Sequence, residues 1–416
     1  TLPKTSQTLQ MLQLYSKPVQ GFVNKETRRM IMATSILKKI DADSHFLPQG
    51  NFGNVRDLLP GYPEETLDMI LRDAAVFADP NARSGGFRAS AAGQRTGGGF
   101  PEISQGTMAS KKSGPIGHGQ ASDRIKLLPE TGFDMQVLIP DGIFANTFGS
   151  PLDRPRDPAI QLALCKAFNN ATSAAQNEYP DQFIGTSIVP FKDVAESCKE
   201  ANRAVKELGL KAITISGNWG GQNYDSFELY PFWKTVSELD VPLYVHHNPF
   251  ACQVNDHIPT TDTLGWERMN RMHISNYLGF AFEYMVGMAS LTLGGVLNQF
   301  PDLKFCFFEA GGSWLPWLMY TLDRVHHVEP QCSRVPNPPS EYIKRSCMVA
   351  VEPDEWCLPQ AVASIGSQNF IIGSDYPHPP STYPNTAAGL ENMEGLTREQ
   401  KENILGRNLM PWMKIS

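Results

Sequence analysis

The chain has 416 residues, 41% hydrophobic and 19% charged, with a formal net charge of −7. That length can bury a substantial core and allows more than one domain, while the acidic balance argues against a nucleic-acid partner, which needs a concentrated basic surface. No apolar run is long enough to span a bilayer and no signal-peptide pattern opens the chain. Seven cysteines, an odd number without a C-x-x-C pair, suggest neither a disulfide framework nor a zinc knuckle. A soluble, cytoplasmic protein is expected. The chain begins at Thr1 rather than Met, so upstream residues are expected to be missing from it.

Residues 1–36 read as a preamble of short helices ("TLQMLQLY", "KETRRMIMATSIL") packed outside a larger body formed by 37–416. A first strand follows at 38–44. The stretch "IDADSHF" (40–46) then poses a problem. Strict alternation would put Asp41, Asp43 and His45 on one face, and unpaired charges are expensive to bury. Residues 51–122 are irregular, and ten of the forty residues 81–120 are glycine, too many for helix or strand interiors. This is a long excursion after the first strand, of the kind that serves as a lid. Its Arg83, Arg88 and Arg95 either meet an anionic substrate or keep the loop solvated.

From 123 onward the pattern is regular. "DRIKLLPETG" reads as helix and "FDMQVLIP" (133–140) as an apolar strand; "FIGTSIVPF" (183–191) is another strand, followed by the helical "DVAESCKEANRAVKELG". Then come "KAITISG" (211–217), a helix near 227–240, "VPLYVHH" (241–247) and a long apolar helical region over about 266–299. "LKFCFFEAGG" (303–312), a helix through "WLPWLMYTLDRVHHV", "CMVAVEP" (347–353), the helix "CLPQAVASIG" and "NFIIGSDYP" (369–377) complete eight strands, and a last helix runs through "TREQKENILGRNLMPW". Several strands are continuously apolar, as strands covered on both faces are. Eight alternating units favour closure into a (β/α)8 TIM barrel. An open doubly wound sheet is the competitor, but no G-x-G-x-x-G follows the first strand.

In such a barrel, chemistry sits at the C-terminal ends of the strands, and here polar residues arrive as the apolar strands end. Strand one ends in Asp43 and His45, strand five in His246 and His247, strand six in Glu309, and strand eight in Asp375 and His378. Imidazole and carboxylate suit zinc, manganese or iron, and a catalytic site keeps one position open. Singly, each is a weak signal, since a lone histidine after a strand is usually a hydrogen-bonded structural group and Asp375 or Glu309 alone reads as a turn or helix cap; four strand ends together point to a metal. His118, His257, His273, His326 and His327 take the structural reading, as does Glu283 in the apolar helical region.

The pieces "DADSH", "FPDLKFCFFEAGGSWLPWL", "GSDYPHP" and "ENILGRNLMPW" resemble the amidohydrolase-related family of metal-dependent barrel enzymes, whose relatives include aminocarboxymuconate-semialdehyde decarboxylase and the nonoxidative hydroxybenzoate decarboxylases. The likeness covers about 38–50 and 130–416, not the preamble or the glycine-rich excursion. It implies one divalent ion, zinc first with manganese or iron as alternatives, held by Asp43, His45, His246 and Asp375, with His247 the rival for the strand-five position. Glu309, Asp375 and His247 are the implied catalytic residues. In the decarboxylase relatives a histidine after strand six assists proton transfer, and Glu309 stands at that position here. Two further departures are "HFLPQ" where many relatives read His-x-x-Glu-Pro, and no lysine at the end of strand four, which favours one metal over two.

The implied enzyme acts on a small carboxylated or amide-like compound. Hydrolysis would use a metal-activated water with Asp375 as base; decarboxylation would clamp the substrate carboxylate while an acid protonates carbon. The glutamate in place of histidine tilts the sequence reading towards hydrolysis. A homo-oligomer is expected. The alternative is a subunit supporting a homologous partner in a hetero-oligomer, either non-catalytic or part of a metal-dependent oxygenase, since fold alone does not fix function.

Overall fold

The computed structural model describes residues 37–46, 61, 63–65, 119–140, 158–191, 193–219, 221–246, 278–378 and 381–415. The preamble 1–36, nearly all of the excursion 51–122, and His118, His247, His257 and His273 lie outside the described residues, as do the three excursion arginines.

Eight parallel strands run in the order β1 to β8: Ile40–Phe46, Met135–Pro140, Phe183–Ile188, Ala212–Ile215, Leu243–Val245, Phe305–Phe307, Cys347–Val351 and Phe370–Ile372. Every strand residue is buried, as the continuous apolar runs require when both faces are covered. The intervening helices are α1 (Ala121–Thr131), α2 (Pro158–Glu178), α3 (Val194–Lys206), α4 (Tyr230–Leu239), α5 (Leu278–Thr292), α6 (Val296–Gln299), α7 (Leu315–Val328), α8 (Pro339–Ser346) and α9 (Leu358–Ile365); α10 (Thr386–Asn392) and α11 (Arg398–Glu402) close the chain. Together they make the (β/α)8 barrel expected from the sequence. Among the described residues no helix is long and apolar enough to cross a membrane.

Local chemistry explains the better-formed helices. In α3, Asp193 caps the start by accepting from the Glu196 amide at 3.0 Å, basic residues occupy the last turn, and Ser197, Glu200, Ala201 and Ala204 form the buried stripe, the pattern of a capped amphipathic helix. The apolar region read as one helix over 266–299 is broken where it is described: α5 and α6 are separated at Gly295, whose φ of 91° is open to glycine at little cost. The closing helix is likewise shorter than "TREQKENILGRNLMPW" suggests. A capping box of Thr397 and Gln400 starts α11, and a π-type turn at Asn403–Arg407 then redirects the chain.

The barrel closes where β8 meets β1. The His45 amide donates to the Tyr376 carbonyl at 2.8 Å and the Asp375 amide to the Asp43 carbonyl at 2.9 Å, with a parallel bridge between Ser44 and Tyr376. The strands approach so closely that a β-carbon on Gly373 would lie 2.3 Å from that of Asp43. The register of β1 on β2 also shifts, from Asp41 opposite Gln136 to Ser44 opposite Leu138. This irregularity corrects the expectation of strict alternation. Asp41 and Ser44 share the helix-facing side with Gln136 and Leu138, while His45, opposite Ile139, lines the barrel.

A Gly373→Ala substitution forces β8 off β1, and overpacking of this kind costs about 1–3 kcal/mol. Scanning calorimetry is expected to show a melting temperature lowered by several degrees; an unchanged one would mean the seam is not close-packed.

Candidate metal centre

Four strand ends supply the polar side chains at the open end of the barrel. His45 Nε2 lies 3.2 Å from Glu309 Oε1, 3.2 Å from Asp375 Oδ1 and 3.5 Å from Asp43 Oδ1. His246 Nε2 lies 3.0 Å from the same Glu309 oxygen. His378 Nδ1 is 2.7 Å from Asp375 Oδ1 and 3.4 Å from Glu309 Oε1. The His45 and His246 rings meet edge to face with centroids 4.8 Å apart. Two overlapping sets, Asp43–His45–His246–Glu309 and His45–Glu309–Asp375–His378, each bring their donor atoms within 4.8 Å of one another.

Backbone geometry aims these groups. Glu309 and Asp375 both occupy the left-handed region, with φ of 59° and 54°, an uncommon conformation for residues with a β-carbon that costs of order 1 kcal/mol or more. The surroundings hold it. After Glu309, the Glu355 carboxylate accepts from the Gly312 and Ser313 amides at 3.0 and 2.6 Å, pinning the turn. Before Asp375, the Ser374 amide and hydroxyl donate to the two Asp41 oxygens at 2.8 and 2.7 Å.

The electrostatics are those of crowded, dehydrated carboxylates. Burial pushes Asp43 up to about 7 despite His45 and His246 beside it. Burial and then the Glu309 charge push Asp375 up to about 8. Glu352, half-buried just past β7, rises to about 8 through desolvation and the Asp375 charge. Burial also opposes ionisation of Glu309, but charge and hydrogen bonds from His246, with hydrogen bonds from His378 and His45, outweigh it and hold that carboxyl well below the usual range. Asp43 Oδ1 is buried and has no hydrogen-bond partner among the described residues. An orphaned carboxylate oxygen among further carboxylates and imidazoles is the donor chemistry of a divalent-cation site, so the residues fit a metal.

The structure therefore brings together Asp43, His45, His246, Glu309 and Asp375, all singled out in the sequence. His247 is outside the described residues. His326 is a structural group bonded to the Ser333 hydroxyl at 2.8 Å, and Glu283 accepts from Asn218 at 3.1 Å, supporting the chain after β4. The sequence reading also placed His378 at the end of strand eight but left it out of both the ligand set and the catalytic residues; the structure brings it to 2.7 Å from Asp375. That reading missed Arg124, Gln136 and Ser374, which lie behind the ligand set. One signal was available: Arg124 interrupts the buried stripe Ala121–Leu128–Thr131 of α1, and a charge at an inward position needs a partner.

Comparison with known proteins places the chain in a family and agrees with the barrel fold. The amidohydrolase family model matches residues 40–408. The chain is 28% identical to 2-amino-3-carboxymuconate-6-semialdehyde decarboxylase of Dictyostelium discoideum over 70% of this chain and 76% of that one. It is 23% identical to the gamma-resorcylate decarboxylase of Polaromonas sp. strain JS666, over 68% and 87%. Its fold resembles that of the 5-carboxyvanillate decarboxylase of Novosphingobium aromaticivorans, solved with manganese and 4-hydroxy-3-methoxy-5-nitrobenzoic acid, with a TM-score of 0.65 and 20% identity over 91% and 96% of the two chains.

The raised carboxyls fix a pH dependence. A carboxyl whose folded pKa lies above its unfolded value near 4 favours the fold at low pH, and that contribution is lost as pH rises towards the folded pKa of about 7 to 8. Metal-free protein is expected to lose stability, on the order of a few kcal/mol, between pH 5 and 8 in denaturant titrations. Asp375→Asn flattens that slope, and added divalent metal at pH 8 restores the loss. Equal slopes in the wild type and the variant would contradict this account.

Proposed function

The chain belongs to the amidohydrolase family, and within it we propose a divalent-metal-dependent, non-oxidative carboxy-lyase acting on a small carboxylated aromatic or polyunsaturated compound. The observation that carries this reading is the convergence of donor atoms from β1, β5, β6 and β8 within 4.8 Å in each of the two sets. Asp43, His45, His246 and Asp375 are assigned as the ligands. A donor set this rich in carboxylate oxygen favours manganese over zinc, and the manganese in the 5-carboxyvanillate decarboxylase supports that choice.

When bound, the ion supplies a Lewis-acidic anchor for the substrate's carboxylate and a neighbouring hydroxyl. The remaining work is proton handling by the chain itself. His378 Nδ1 lies 2.7 Å from Asp375 Oδ1, and this imidazole would carry the proton that the substrate carbon takes up. That proton goes to the carbon bearing the carboxylate. The bond to the carboxyl carbon then breaks, its electron pair restores the conjugated system, and CO₂ leaves without consuming an oxidant. Glu309, held ionised by its histidines, stands 3.4 Å from His378 Nδ1 and orients that ring. The strand-six glutamate that favours hydrolysis in the sequence thus has an imidazole beside it after all, contributed by the segment after β8.

The test is manganese-loaded protein in D₂O with 2,6-dihydroxybenzoate and 5-carboxyvanillate. Release of CO₂ with one deuterium at the vacated carbon is expected. His378→Asn should lower kcat by on the order of a hundredfold or more at unchanged metal content. Hydrolysis of amides or esters without CO₂ from any carboxylated substrate would overturn the reading in favour of a hydrolase, and absence of bound metal would favour the partner-subunit alternative.

A further inference from the structure

We propose that Arg124 is a positioning residue for the metal centre, holding the ends of β1 and β8 in one fixed relation from the helix side of the barrel. This rests on the assignment of His45 and Asp375 as ligands. Arg124 lies on α1, is 1% exposed, and spreads its guanidinium over three acceptors. Nη1 donates to the His45 carbonyl at 3.1 Å, Nη2 donates to the Ser44 hydroxyl, and Nε donates to Gln136 Oε1 at 3.1 Å. The Tyr376 ring covers the guanidinium carbon at 4.7 Å.

From Gln136 the contact continues across the seam. Gln136 Nε2 donates to Asp41 Oδ2 at 3.0 Å, and Asp41 accepts both the amide and the hydroxyl of Ser374. Ser374 precedes Asp375. One cation therefore grips the backbone of one assigned ligand directly and the residue before another through two side chains. The contacts fall beside the register shift of β1 and beside the bridge from β1 to β8, so they add side-chain ties from the helix side to a seam the backbone already pairs.

An apolar side chain would fill this position at lower desolvation cost. What a guanidinium adds is a planar fork that binds several acceptors in a set geometry. Lysine is too compact a charge to engage all three, and methionine at 136 severs the link to Asp41 while conserving approximate volume.

The experiment compares Arg124→Lys, Gln136→Met, the exposed-site control Lys126→Met and the ligand variant His45→Ala. Each is titrated with Mn²⁺ alone, free and bound ion being read by electron paramagnetic resonance, with thermal melting recorded on metal-free protein. The expected result is wild-type behaviour for Lys126→Met and loss of binding for His45→Ala. Arg124→Lys and Gln136→Met should bind on the order of 10- to 100-fold more weakly, the range for residues that orient ligands, with an altered bound spectrum. A lowered melting temperature with wild-type affinity and spectrum in both variants would make the network merely structural and overturn the proposal. If Arg124→Lys does not fold, Gln136→Met decides alone. Retained binding in His45→Ala would instead bring down the ligand assignment, and this inference with it.

Discussion

The upper rim of this barrel is organised around one electrostatic constraint: dehydrated carboxylates held too close together to be stable on their own. Asp43, Glu309 and Asp375 meet around His45, with Glu352 behind them. Two like charges 4 Å apart at an effective dielectric of 20 repel by about 4 kcal/mol. The imidazoles offset part of this at Glu309, but Asp43 and Asp375 are left holding protons near neutrality. The molecule keeps an arrangement that is unfavourable without a cation, and that conflict between stability and arrangement is the mark of a binding site.

The surrounding structure maintains this crowding. Left-handed backbone at Glu309 and Asp375 turns both side chains back over the barrel mouth, and Glu355 and Asp41 secure the adjoining turns through backbone amides. In "GSD", residues 373–375, each position has a separate task. Gly373 admits the β-carbon of Asp43, Ser374 ties the strand end to Asp41, and Asp375 presents its carboxylate to His45. The barrel scaffold is tolerant of sequence change, whereas this short stretch is constrained at three consecutive residues by three different contacts.

Much of this was legible in the sequence because it depends on local pattern. Apolar runs punctuated by turns place all eight strands, and His246, Glu309 and Asp375 arrive just past their strands, where a barrel's chemistry is expected. What was hidden depends on register and on distance along the chain. Helix α2 is Ala- and Asn-rich with buried residues around much of its circumference, so it carries no clean amphipathic stripe to read. The break at Gly295 follows from a backbone angle, which hydropathy does not encode. The association of Arg124 with His45 spans 79 positions, and nothing in "DRIKLLPETG" names its partner.

The opening stretch of β1 shows how one irregular pairing can decide chemistry. With perfect alternation, Asp41 would join Asp43 and His45 inside the barrel mouth and add one more carboxylate to a site already short of positive charge. The register shift between Asp41 and Ser44 turns Asp41 to the other side. There burial raises its pKa, and its oxygens are occupied by Ser374 and Gln136, with Arg124 beyond. Two aspartates two residues apart thus serve opposite faces of the same strand, one completing a hydrogen-bonded seam and the other keeping an oxygen without a hydrogen-bond partner among the described residues. A strand without that shift would crowd one more carboxylate into a rim where Asp43, Glu309 and Asp375 already meet around His45.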